Sequence, residues 1–214
     1  MADTEQTPVR RAEILACLSM ATDLAMGQPI EFALRSCVLA VRFGRALGLV
    51  TEEIGQTYYQ ALLRYVGCNA ETHIMAALLG DEIAFRREFA LIDMGRAEEV
   101  GALVFNFVRR ANADAGAFRM LAGVVSGLAS SKSVSQQNLA SHCEVAQRIS
   151  ERLRLGEDVR TNLGQVYERW DGKGLPYGLK GEAVSRVVQI VTLVQDWIVL
   201  EAAFGADGAK SKLL

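Results

Sequence analysis

Apolar residues recur along this chain at helical spacing, and the polar residues between them fall where helices start and stop. Ile14, Leu15, Leu18, Ala21, Leu24 and Ala25 lie on one helical face. Thr7-Pro8 reads as the cap and first position of that helix, and Gly27 with Pro29 ends it. A second helix is predicted from about Ile30 to Leu47 with Gly48 as its C-cap, and a third opens at Thr51-Glu-Glu, where acidic residues suit the helix dipole, and breaks at Gly67. From Ala70 to Phe89 the periodicity is helical but interrupted; Val100 to Val108 and Ala115 to Leu128 continue it. Ser133 with Gln136 offers a capping box before Leu139 to Leu153, Gly156-Glu-Asp starts a short helix to Tyr167, and Glu182 to Ala203 forms the last. The pattern predicts an all-α bundle of about nine helices and no strand.

No repeat, charge block or Gly/Ser linker divides the chain, so residues 1–204 read as one domain with a soft lobe boundary near Gly95, and 205–214 as a frayed tail. Half the residues are hydrophobic, which suffices for a sizeable core. With 23 basic against 25 acidic residues the net charge is −2, which argues against a broad phosphate-binding surface and direct nucleic-acid contact. Cys17, Cys37, Cys68 and Cys143 show no CxxC spacing and no signal peptide is evident, a usage that fits a reducing cytoplasm. The longest uncharged stretches fall short of the ~20 apolar residues a membrane span requires, so no membrane association is expected.

The run Glu168-Arg-Trp-Asp171-Gly172-Lys-Gly174-Leu175-Pro176-Tyr-Gly178-Leu179-Lys-Gly181-Glu182 carries the densest information. Its glycines permit positive φ and close backbone approach, Pro176 stiffens the turn, and Glu168 and Asp171 stand within one helical turn at its entrance. This segment resembles the loop of the HD-GYP family, metal-dependent hydrolases of cyclic dinucleotides in which His-His-Glu precedes Asp-Gly-x-Gly-Tyr-Pro and Gly-Leu-x-Gly. The resemblance extends from about Phe32 to Gln195 and implies an HD-domain-like bundle in which divalent ions, held by histidines and aspartates, activate water against a phosphodiester.

Compared with that pattern, the frame persists while its ligands change. The first family histidine falls on Phe32, the His-Asp pair of the signature on Arg64-Tyr65 and its lysine on Cys68. The His-His pair falls on Val166-Tyr167, the motif tyrosine on Leu175 and the closing aspartate on Gln195, with Asp196 one residue later. His142 alone matches a family histidine. A guanidinium about 4 Å from a divalent ion costs roughly 8 kcal/mol at an effective dielectric near 20, so Arg64 disfavours a metal and favours an anion.

The expected site is therefore a small-ligand pocket of Arg64, Tyr65, Cys68, His142, Tyr167, Glu168 and Asp171, with no cofactor and no catalytic residue assigned. The function expected is a catalytically inactive sensory or protein-interaction domain of a bacterial regulator. Relatives fused to LuxR-type helix-turn-helix segments imply transcriptional control, with a small anionic ligand or a protein as partner. Two alternatives stay open: a metal-dependent phosphohydrolase of cyclic dinucleotides or nucleotides, its site rebuilt from His142, Glu168, Asp196, Cys68 and His73 and also using Asp171; and a scaffold forming homodimers, for which Trp197 and its neighbours supply an apolar face. Cys143 joins Cys68, His73 and His142 as a candidate zinc set of N and S donors.

Overall fold

A computed structural model of the protein describes residues 10–68, 72–111 and 139–213. They form α1 (Arg11–Ala25), α2 (Phe32–Ala46), α3 (Thr51–Leu63), α4 (Thr72–Leu79), α5 (Glu82–Phe89), α6 (Ala97–Ala111), α7 (139–152), α8 (Glu157–Leu163) and α9 (Arg186–Leu213), with a 3-10 turn at Gly181–Ala183. Among the described residues there is no strand, and the all-α expectation holds. The predicted segments at Thr7-Pro8, Ala115 to Leu128 and Ser133 with Gln136 lie outside the described residues.

Local chemistry accounts for most helix ends. The Glu13 carboxylate accepts from the Arg10 backbone N–H at 3.0 Å and the Glu53 carboxylate from the Val50 N–H at 3.1 Å, so donors left open at two helix starts are satisfied. Asp81 caps α5 by accepting from the Ala84 N–H at 2.8 Å. At the end of α2 the Gly48 and Leu49 N–H groups turn back to the Arg45 and Gly44 carbonyls.

The main core is made by α2, α3 and α9 packed on one another, with α1 against α2 and α3 and with α8 beside α3. Leu15, Phe32, Ala40, Leu62, Leu63, Cys143, Leu163, Val166, Val191 and Val194 fill it. Trp197 packs against this cluster as well. By length and composition α9 could cross a bilayer, which a search for uncharged runs passes over because Asp196 interrupts it. Its residues Val187, Val188, Ile190, Val191 and Val194 are nevertheless spent on the protein's own core.

A smaller cluster of Leu79, Phe85, Leu103, Phe107 and Val108 holds α4, α5 and α6 to one another, with Phe85 meeting Phe107 edge-on at 5.3 Å. The soft lobe boundary expected near Gly95 is not found there, because this cluster packs α5 and α6 together on either side of it. Gly95 lies in the turn joining α5 and α6, whose aromatic rings interlock across it. Arg86 ties the two lobes: its guanidinium donates to the Ala25 carbonyl at 3.1 Å and the Cys68 carbonyl at 2.9 Å.

The C-terminal end also differs from expectation. Gly205 adopts φ 72°, ψ 172° and kinks α9, yet helix resumes to Leu213 instead of fraying. Ala209 is fully buried and the Lys212 ammonium sits 4.8 Å from the Phe204 ring centre, contacts that override the weak helix propensity of a Gly-rich tail.

Asp23, at the end of α1, is fully buried and accepts from the Ala33 N–H with both carboxylate oxygens at 3.2 and 3.1 Å. Burial pushes its carboxyl from 3.8 up to about 6, partly offset by the Ala33 and Phe32 N–H groups. Between these values the folded protein keeps a proton that the unfolded chain releases, so stability falls as pH rises from about 4 to 6, by about 3 kcal/mol at most. Asp23→Asn, which keeps an acceptor without the charge, is expected to flatten this slope and to be the more stable protein at pH 7. Urea midpoints from pH 4 to 7 check it; parallel curves for the two proteins would contradict it.

Candidate functional site

The turn that follows α3 carries Arg64 to Cys68 and is pressed against α7. A Cβ added at Gly67 would overlap the backbone carbonyl of His142, so only glycine allows this approach. Arg64 reaches across to α9, where its Nη1 donates to Thr192 Oγ1 at 2.6 Å. Tyr65 stacks on Phe32 with ring centres 6.1 Å apart, and the Arg64 guanidinium lies 6.0 Å from the Tyr65 ring. Burial pushes the Tyr65 hydroxyl up to about 12, with the Arg64 charge pulling the other way.

Cys68, Tyr167 and His142 are brought together. Cys68 Sγ and Tyr167 Oη are 2.8 Å apart, and Tyr167 Oη is 3.5 Å from His142 Nδ1. Burial raises the pKa of Cys68, raises that of Tyr167 well above its usual value and pushes the neighbouring Cys143 thiol up to about 12. The thiols and the phenol are thus neutral at pH 7, and no thiolate is on offer. The region between Phe32, Arg64, His142 and Tyr167 thus holds this stack and this hydrogen-bonded chain.

Glu168 and Asp171 have structural partners. Glu168 is 3% exposed, and its two carboxylate oxygens accept from the backbone N–H groups of Tyr177 and Leu179, both at 2.7 Å. One side chain thereby folds the 168–179 loop back on itself. Gly174 fits under the turn because a Cβ there would lie 2.5 Å from the Glu168 Cα. The Leu175 N–H donates to the Tyr167 carbonyl at 3.1 Å and the Gly181 N–H to the Trp170 carbonyl at 3.0 Å. Asp171 accepts from Arg169 Nε at 3.1 Å, Arg169 Nη2 at 3.0 Å and the Lys173 N–H at 2.9 Å. Hydrogen bonds from Arg169, the largest influence, hold the Asp171 carboxyl below its usual value. Arg169 also pairs with Asp93 at 2.9 Å, anchoring the loop to the α5–α6 turn.

An open cleft of about 340 Å³ lies on the other side of this loop, between Glu168–Asp171 and the face of α9 bearing Gln189, Thr192, Leu193 and Asp196. Burial raises the Asp196 carboxyl, offset in part by Arg64 and then Arg169. Gln195, the residue matching the family's closing aspartate, is 1% exposed and directed into the core, so Asp196 is the carboxylate that reaches the cleft. Arg169, Trp170 and Thr192 were not among the expected site residues. Their signal was present in the sequence: Gln189, Thr192, Leu193 and Asp196 recur at three- and four-residue spacing, one stripe of a helix.

The donors for a metal do not fit. Among the described residues no three His, Cys, Asp or Glu side chains come together to hold an ion. His73 is exposed on α4, Glu168 has both oxygens engaged by the backbone, and Cys68 is a neutral thiol against Tyr167. Neither the rebuilt set of His142, Glu168, Asp196, Cys68 and His73 nor the zinc set with Cys143 is assembled. The physical reason is that Glu168 is committed to backbone N–H groups, Cys68 to Tyr167, and His73 stands apart on the α4 surface.

Comparison with known proteins bears on the family. Residues 124–213 match the HD domain family. Over 205 residues, 95% of its length, the chain is 23% identical to the 3′3′-cGAMP-specific phosphodiesterase 3 of Vibrio cholerae, of which it spans 44%. A crystal structure of a cyclic GMP-AMP-specific phosphodiesterase of Vibrio cholerae superposes with a TM-score of 0.64 at 22% identity, over 94% of this chain and 43% of that one. The chain thus spans less than half the length of the proteins it matches. The HD domain match covers under half of the chain, and the all-α architecture with its structural neighbour shows a shared fold.

Proposed function

We propose that this chain is a helical unit of an HD-type phosphodiesterase that acts on a cyclic dinucleotide. The observation that carries the reading is the similarity to a cyclic GMP-AMP phosphodiesterase across 95% of the chain. The expectation of a catalytically inactive sensory or interaction domain is corrected by the same finding, which favours the phosphohydrolase alternative. No comparison supports the link to transcription regulators.

The cleft beside α9 supports the proposal chemically. Arg169 lines it and Arg64 is fixed to the lining Thr192, so two guanidiniums stand within reach of an anionic phosphodiester beside the carboxylates of Asp171 and Asp196. The 168–179 loop, held by Glu168, keeps Arg169 and Trp170 in place without help from a ligand. Divalent ions supply water activation in HD hydrolases, and among the described residues the donors for such an ion are not assembled.

Incubation of the protein with 3′3′-cGAMP or cyclic di-GMP tests the proposal. Linear dinucleotide is expected when the assay supplies Mn²⁺ or Mg²⁺. Intact substrate under every metal tried would overturn it.

A further inference from the structure

The cleft holds one more feature that charge alone does not explain. Trp170 is 59% exposed at its lip, although an indole left in water gains nothing from folding. The residue is nonetheless held firmly: its carbonyl accepts from the Gly181 N–H at 3.0 Å, Arg169 before it pairs with Asp93, and Asp171 after it accepts three hydrogen bonds. Across from it lie the apolar Val184 and Leu193, and Asp196 in a partly desolvated position. A rigid exposed ring, apolar walls and a carboxylate between two guanidiniums form a slot for a flat group with an apolar face and a donor edge. At about 340 Å³ it lies at the small end of ligand-pocket sizes.

We infer that this cleft seats a guanine base, stacked on Trp170 with its N1–H and exocyclic amino donors received by Asp196. The inference rests on the phosphodiesterase reading for the identity of the substrate, but not for the binding itself. A carboxylate only accepts, and guanine offers two adjacent donors on its Watson–Crick edge whereas adenine offers one. Stacking on an aromatic side chain strengthens binding by about 5- to 150-fold per base.

The chain contains two tryptophans, so Trp197→Phe leaves an emission that reports Trp170 alone. Titration of that variant with GMP is expected to give saturable quenching, with AMP at least five-fold weaker and ribose 5-phosphate inert. Asp196→Asn is expected to weaken GMP about tenfold, and Trp170→Ala to raise KM for 3′3′-cGAMP about tenfold with kcat much less affected. No quenching by GMP, or equal quenching by ribose 5-phosphate, would overturn the base seat. Cleavage of 3′3′-cGAMP with KM unmoved in Trp170→Ala would overturn it while sparing the phosphodiesterase reading. Saturable GMP quenching without any cleavage would uphold the seat and sink that reading instead.

Discussion

Gly67→Ala is expected to cost about 3–5 kcal/mol of stability, a large share of the 5–15 kcal/mol that holds an ordinary domain together. The added methyl group would overlap the carbonyl oxygen of His142 and lie 2.8 Å from its carbonyl carbon and 3.1 Å from its Cα. All three are backbone atoms of α7, so no rotamer change relieves the clash and the helix itself must shift. That shift would pull Cys143 and Ala146, each 1% exposed, out of the main core and part His142 from Tyr167. Denaturant unfolding gives the cost. Gly55→Ala is the control: it lies inside α3 with nothing within 4 Å of the added Cβ, so helix propensity alone makes it neutral or stabilising by up to about 1 kcal/mol. Matching unfolding midpoints for Gly67→Ala and wild type would show that the turn does not press on α7 as described.

Glu168→Ala is expected to lose about 3–6 kcal/mol within the loop, because two charge-assisted hydrogen bonds worth roughly 1.5–3 kcal/mol each disappear together. The N–H groups of Tyr177 and Leu179 would lose the acceptors that now stand at 2.7 Å, with no other element arranged to replace them. Glu168→Gln rescues only in part: one of its two terminal atoms is an amide nitrogen, which sets a donor against a donor. Amide hydrogen exchange reads the effect directly. Protection at Tyr177 and Leu179 is expected to fall by about 100-fold or more in Glu168→Ala, and cyclic dinucleotide cleavage to fall with it, since the loop carries Arg169 and Trp170. Unchanged protection at these two amides would refute the role assigned to Glu168.

The same residue marks where the sequence stops being legible. The glycine and proline spacing of 172–181 announces a shaped loop, and the loop is there. Glu168 at its entrance reads equally well as a site carboxylate, because nothing local reveals that its acceptors would meet N–H groups nine and eleven residues on. The grouping of Cys68, His142 and Tyr167 was readable through the family pattern. The bond from Arg64 to Thr192, 128 residues away, was not, since long-range partners leave no trace in local periodicity. The helices followed their apolar stripes and caps closely. Two boundaries went astray where tertiary contacts outweighed composition: the lobe division, set by the Phe85–Phe107 packing, and the Gly-rich end, kept helical by contacts at Ala209 and Phe204.

A crystal structure of the protein with a phosphorothioate analogue of 3′3′-cGAMP, which resists cleavage, tests the central claim most directly. The account predicts ligand density in the cleft between the Glu168-anchored loop and α9, with a guanine against Trp170 and a phosphate toward Arg64 and Arg169. Ligand density elsewhere, with that cleft holding only solvent, would contradict it.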